Sequence, residues 1–429
     1  MKHRGRHRRR RRSRVLRATL AGTALALTAA ATMISASQAT DAADPGALKP
    51  LTASAETTPL RLTERGVPRG TLDRLSEGMG RPVGVGAVLA DPDGSLRDAD
   101  DCTADDRRAL PVEPAATRAY CWPGADTDGW RSGAVTTSGD ADDDGRWGEH
   151  RVILSGWSRA GTTAEGGLAR VAFVDAGDPD RLSYTWALLT VPVDGGHDYR
   201  GLGSAVSGMV WYQDKLLVTA GRGENSTLYV YDVDRVQRAT VDGTPVGRVP
   251  GGWSAAGARY VLPAVASYRA DGAGSPRPGG ISLDRSTAPD SLVAHEAAPP
   301  DDDGPTRLWR YAFSTDPERR GLLETDPVAH AHAVAAYETE LTGVHSVLSY
   351  RSGWYLGRTA GAPDERGTLW RQDTDGARPT RCGADETHRC WSGGATSLSY
   401  WQETGVLWSQ SGRALFALPL ASVERSLDR

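Results

Sequence analysis

The sequence predicts an all-β fold, a β-propeller of about five to seven blades built from antiparallel four-stranded units, and three observations predict it. Short apolar and aromatic runs of four to ten residues alternate with Gly, Asp and Pro clusters from about residue 82 onward. A pattern of strand, polar turn, strand and closing Gly recurs, followed each time by a further aromatic strand. Segments with helical periodicity are scarce.

The chain has 429 residues with 50 Lys+Arg and 54 Asp+Glu. Ten of the basic residues fall in the first 20, leaving 40 bases against 54 acids, a balance of −14. An acidic remainder argues against nucleic-acid partners and against attraction to anionic membranes.

Residues 1–39 are a signal peptide: a basic stretch from Arg4 to Arg17, an Ala/Leu/Thr-rich run from Val15 to Ile34, and small residues at Ser37 and Ala39. The mature chain is expected to start near Thr40, secreted and without membrane insertion, because no later apolar run reaches about 18 residues. Export fits local disulfides, Cys102 with Cys121 and Cys382 with Cys390. Residues 40–81 mix Ala, Thr, Pro and charge without a clean period and are expected to be a flexible segment with a short helix at 70–78. Residues 82–429 form the propeller domain.

Within that domain the strands read RVILSGW (151–157), ARVAFVD (169–175), YTWALLTVPV (184–193), RYVLPAV (259–265) and RLWRYAF (307–313). The repeats are GMVWYQDKLLVTAG (208–221), SVLSYRSGWYLGRTAG (346–361) and SLSYWQETGVLWSQSG (397–412), followed by TLYVYDV, TLWRQDT and ALFALPL. Their closing glycines are 140 and then 51 residues apart, which suggests a unit of roughly 45–55 residues with degenerate copies between. Segment 270–306 reads as a long loop that would lower the blade count to five. The clearest helical pattern lies near 328–340. A pair of β-sandwiches uses similar strands but gives no reason for the repeat.

ARYVLPAV (258–265), SLDRSTAP (282–289) and the 207–221 block resemble a family of secreted actinobacterial proteins with propeller-like repeats. The likeness runs from about Trp147 onward. It implies an extracellular propeller and no particular activity. In that family a His-Ala-Gly-Gly sequence precedes the Trp-Tyr pair; here Ala205, Val206, Ser207 and Gly208 stand there, so no role of that His carries over.

The sharpest chemical motif is Asp140, Asp142 and Asp144 with Gly145 and Glu149. Acids at alternate positions before a Gly turn could surround a Ca²⁺ ion, which takes six to eight oxygens. Position 12 of such a loop holds Arg151, whose guanidinium could pair with the aspartates instead. Asp-x-Asp-Gly recurs at 91–94, 126–129, 142–145, 301–304 and 373–376, which also reads as turns between strands. His330 and His332 share a face if the segment is a strand, and with His345 could bind a metal. Ser158 and Ser254 lack the second Gly of G-x-S-x-G, and no zincin, P-loop or dinucleotide motif is present. The function expected is binding of an extracellular carbohydrate or protein. The alternative is a hydrolase or lyase acting on polysaccharide at the channel mouth.

Overall fold

A computed structural model describes residues 44–159, 167–221, 226–272, 274–297, 304–359, 365–383 and 387–427. The signal peptide and the closing Gly361 lie outside these residues.

Five four-stranded antiparallel blades are arranged about one axis. Blade 1 is Arg131–Thr137, Val152–Arg159, Leu168–Asp175 and Ser183–Val193. Blade 2 is Val206–Tyr212, Lys215–Ala220, Thr227–Asp232 and Tyr260–Ala270. Blade 3 is Pro278–Asp284, Ser291–Glu296, Thr306–Ala312 and Ala333–Thr339. Blade 4 is Val344–Tyr350, Gly353–Arg358, Thr368–Gln372 and Ala377–Pro379. Blade 5 is Ser399–Trp401, Val406–Ser411 and Ala414–Pro419, completed by Arg118–Cys121 from the N-terminal side. This borrowed strand ties the two ends of the domain together by pairing with Ala414–Ala417.

The blades pack face to face because alternate side chains of each strand point to opposite neighbours. One apolar cluster fills each boundary. Phe173 and Leu154 meet Trp211 and Val218 between blades 1 and 2. Leu217 and Tyr268 meet Leu292 and Trp309 between blades 2 and 3. Leu308 meets Trp354 and Trp370 between blades 3 and 4, and Leu369 meets Phe416 between blades 4 and 5. Trp408 and Leu415 close the ring against Trp157 and Ile153.

The repeated hairpins are the two inner strands of blades 2, 4 and 5. Their turns are tight, with Gln213 at φ 54° and Arg351 at φ 57°. The hairpins Val206–Ala220 and Val344–Arg358 stand two blades apart, so the long gap between the first two repeats holds one intervening blade and not several degenerate short ones. Segment 270–306 is not a long loop: it carries the inner hairpin of blade 3. The count reaches five because the earlier blades carry insertions, among them the hairpin Val246–Val249 with Gly252–Ala255.

Three further expectations are corrected. The segment from residue 45 to 81 is not flexible. Lys49–Pro50 adds to the outer edge of blade 3, Leu62–Gly66 adds to blade 2, and the helix Arg69–Met79 buries Leu72, Leu75 and Met79. Trp253 caps that helix by donating its Nε1–H to Gly78 O at 2.9 Å. Residues 330–339 are strands, not a helix, because their pairing partners on blade 3 and on Leu62–Thr63 outweigh the helical preference of an Ala-rich stretch. The sheets are also not wholly antiparallel. Tyr260–Pro263 runs parallel to Ala187–Thr190 of blade 1, after which the same strand turns to its antiparallel partner in blade 2. Pro263, lacking an N–H, sits where the pairing changes over.

Candidate functional site

The turns that follow the innermost strands meet at one rim and stitch it together. Gln213 N–H donates to Ala141 O at 3.0 Å, Arg285 lies over the Tyr212 ring, and Arg351 N–H donates to Ser286 Oγ at 2.6 Å. Tyr350 packs on Tyr400, and Ser399 Oγ–H donates to Asp140 Oδ2 at 2.7 Å.

Asp140 is a buried acid of this rim. Its Oδ2 also accepts from Thr136 Oγ1 at 2.6 Å. Burial pushes its carboxyl above the usual carboxylate range, against the hydrogen bonds and the Arg285 charge that pull it down. Arg285 donates to Asp140 O at 2.7 Å and pairs with Asp143 and with Asp290, the latter at 3.5 Å. Burial likewise raises Asp290, and burial together with Asp290 raises the Tyr212 hydroxyl that bonds to it. Beside this group, fully buried Asp284 pairs with Arg310, which reaches Ser349 Oγ of blade 4 at 2.7 Å.

The structure does not bring the four carboxylates of the expected calcium loop together. Asp140 faces inward. Asp142 Oδ1 accepts from Asp144 N at 3.4 Å, and Asp144 Oδ1 from Arg146 N at 2.8 Å, so both shape their own turns. Glu149 is exposed, with its backbone oxygen taken by Arg146. Arg151 turns away to Glu403 of blade 5 at 3.2 Å, and the cation that meets the aspartates is Arg285. Gly145, at φ 76°, lies under Trp401 Nε1, which leaves no space for a Cβ.

Among the described residues two other groups place three ligating atoms within 4.8 Å of one another. In Asp214, Asp232 and Asp234 the cation place is taken by Lys215 Nζ, which pairs with Asp214 and, at 3.3 Å, with Asp232. The other is Asp326, His330 and His332. The two histidines share a face as a strand requires. His345 is not with them: it lies on the innermost strand of blade 4, near buried His295. Asp326, which sequence reading missed, takes the third place. Its only sequence signal was an acid four residues before His330 at a Pro-containing turn.

A cleft of about 420 Å³ opens between blades 5 and 1 beside the rim. Tyr120, Trp401 and Trp408 wall it, with Arg118, Arg151 and Thr404 among its polar groups. Tyr120 stacks on Trp408 at 6.4 Å and donates its hydroxyl to Pro179 O at 2.7 Å. Behind it Trp122, Trp157, Tyr184 and Trp186 form a buried aromatic cluster that holds the blades together. Ser254 is buried and donates to Gly243 O at 3.2 Å, a bond within its own hairpin region. Both expected disulfides are formed, with Cα atoms 5.7 Å apart for Cys102–Cys121 and 5.5 Å for Cys382–Cys390. No helix among the described residues is long and apolar enough to cross a membrane.

No protein-family model matches the chain, and no curated protein matches it. Among solved structures, a gluconolactonase from Xanthomonas campestris is similar at 13% identity and a TM-score of 0.30, covering 80% of this chain and 98% of its own. Drosophila plexin A, solved with semaphorin 1b, is similar at 13% identity and a TM-score of 0.21, covering 63% of this chain and 53% of its own. Likeness this distant assigns neither activity nor ligand; the propeller stands on its own strand pairing and blade contacts.

Proposed function

We propose that this protein is a secreted propeller that binds an extracellular carbohydrate in the cleft between its first and last blades. The observation that carries the reading is the cleft itself. Its volume lies within the usual range for small-molecule sites, and it combines ring edges with two guanidinium groups, which suits a ligand with apolar ring faces and many hydroxyls. Secretion is supported by the two disulfides, which persist in oxidising compartments, and by the basic–apolar leader. The mature chain recovered from culture supernatant is expected to begin near Thr40.

Arg118 is exposed, so its truncation spares the core. In calorimetric titrations with a panel of soluble oligosaccharides, Arg118→Ala is expected to weaken binding about tenfold, the worth of one charge-assisted hydrogen bond. Saccharide binding that is equal in wild type and variant would place the site elsewhere.

A second reading, polysaccharide hydrolysis or lysis at the rim, is favoured by the raised carboxyls of Asp140 and Asp290 around one Arg. It ranks second because those acids are already engaged by Thr136, Ser399, Tyr212 and Arg285. Turnover of a polysaccharide that disappears in Asp140→Asn would reverse the order of the two readings.

A further inference from the structure

Asp326, His330 and His332 belong to neither the rim nor the cleft. They lie where His330–Ala331 pairs with Leu62–Thr63, outside the outer strand of blade 2. The turn from Asp326 to His330 is closed by Asp326 N–H to His330 O at 2.9 Å and Ala329 N–H to Asp326 O at 3.0 Å. It uses only one carboxylate oxygen. Asp326 Oδ1 accepts from Val328 N at 3.0 Å and from His330 N at 2.9 Å. Oδ2 is thereby aimed at both imidazoles, 3.4 Å from His330 Nδ1 and 2.9 Å from His332 Nε2. The rings stand nearly perpendicular, at 89°, with centroids 6.3 Å apart.

The two separations from Oδ2 are close to those around a shared ion, and all three ligand atoms lie within 4.8 Å of one another. Donor atoms held about 2.0–2.1 Å from a tetrahedral ion lie roughly 3.3 Å from one another. The His330 pair already has that spacing, and the His332 pair reaches it by opening a few tenths of an ångström. The other nitrogen of His330, Nε2, lies 4.0 Å from Asp271 Oδ2, beyond hydrogen-bond distance. Asp271 is itself fixed by Arg61 Nε at 2.8 Å and Thr63 Oγ1 at 2.5 Å. Its carboxylate adds a second negative charge beside the histidines, which favours a cation there.

We propose that Asp326, His330 and His332 bind one divalent ion of zinc-like chemistry, with a fourth position open to water or to one donor atom of a ligand. Two nitrogens and one oxygen suit zinc and its transition-metal neighbours, whereas Ca²⁺ and Mg²⁺ take oxygen-rich shells.

The test uses the full mature chain stripped with a chelator and titrated calorimetrically with Zn²⁺ alone, with Ca²⁺ as the contrasting ion. Zn²⁺ is expected to bind at about one per chain. His332→Ala and Asp326→Asn, each removing one of the three ligands, should each weaken it at least about tenfold. His332 is exposed and Asp326→Asn keeps the turn's acceptor, so both variants should unfold at the wild-type midpoint in chelator. Replacement by Co²⁺ gives a visible band that His332→Ala removes and that His197→Ala, at an exposed histidine elsewhere, retains. Equal Zn²⁺ affinity in wild type and His332→Ala, or equal loss in His197→Ala, overturns the assignment.

Discussion

His295 lies on the second strand of blade 3 with 4% of its surface exposed, and both of its ring nitrogens are committed. Gly280 N–H donates to Nε2 at 2.8 Å, so Nδ1 carries the proton and donates to Glu296 O at 2.8 Å. Burial lowers its pKa from 6.5 to about 4. The unfolded ring takes up a proton near 6.5 and the folded ring only near 4, so the stability this neutral ring supplies is complete above 6.5. It is lost as the pH falls from 6.5 to 4. Between pH 7 and 4.5 the loss amounts to about 2–3 kcal/mol. Urea unfolding at those two values should show His295→Asn losing less stability than wild type by that amount.

The aspartates of 140–145 have no need of an ion. Asp142 and Asp144 shape turns, Asp140 is bonded inward, and Arg285 already pairs with Asp143. Excess Ca²⁺ is therefore expected to leave the melting midpoint where chelator leaves it, and Asp142→Ala to behave the same. An ion bound at 100 times its Kd would add about 2.7 kcal/mol, an upward shift of a few degrees that scanning calorimetry resolves. What the sequence left open here was which cation meets the acids. Arg151 was the near candidate along the chain, but Arg285, from another blade, reaches them.

At the scale of strands, the blades converge on the axis and their inner edges have little space. Gly208 shows this: a Cβ there would stand 2.6 Å from Ile281 N of blade 3 and 2.7 Å from Thr219 Oγ1. Gly208→Ala should cost about 1–3 kcal/mol in urea unfolding, with the slope unchanged because the exposed surface is the same. The inner hairpins were legible because alternation and a polar turn are local signals, as in Val206–Tyr212 with Lys215–Ala220. The stretch 330–339 was not. Its alanines favour a helix, and its strand state is settled by Thr306–Ala312, more than twenty residues earlier in the chain.

For the whole molecule, stability rests on closure. Arg118–Cys121 completes blade 5 from the other end of the domain, and Cys102–Cys121 anchors that strand. The bridge spans 19 residues, and in the loop-entropy model its removal costs about 3 kcal/mol. Cys102→Ser with Cys121→Ser should lower the melting midpoint by several degrees, whereas the pair Cys382 and Cys390, which closes a shorter loop, should cost less. Equal shifts in the two double variants would argue against closure as the weak point.

By itself the sequence determined the strand content, the repeating hairpins and both disulfide pairs, because each depends on residues close together along the chain; the shared face of His330 and His332 waited on the strand state that distant partners impose. Only the tertiary structure decided the blade number, the borrowed closing strand, the packing of residues 45–81 against blades 2 and 3, and the partners of the charged groups. Insertions blur the repeat length, so blades cannot be counted from spacing. Asp326 beside the histidines, Arg285 beside the aspartates and the cleft between blades 5 and 1 all depend on side chains brought together by folding. Their separation in sequence, or the turn that aims them, carries no periodic signal to read.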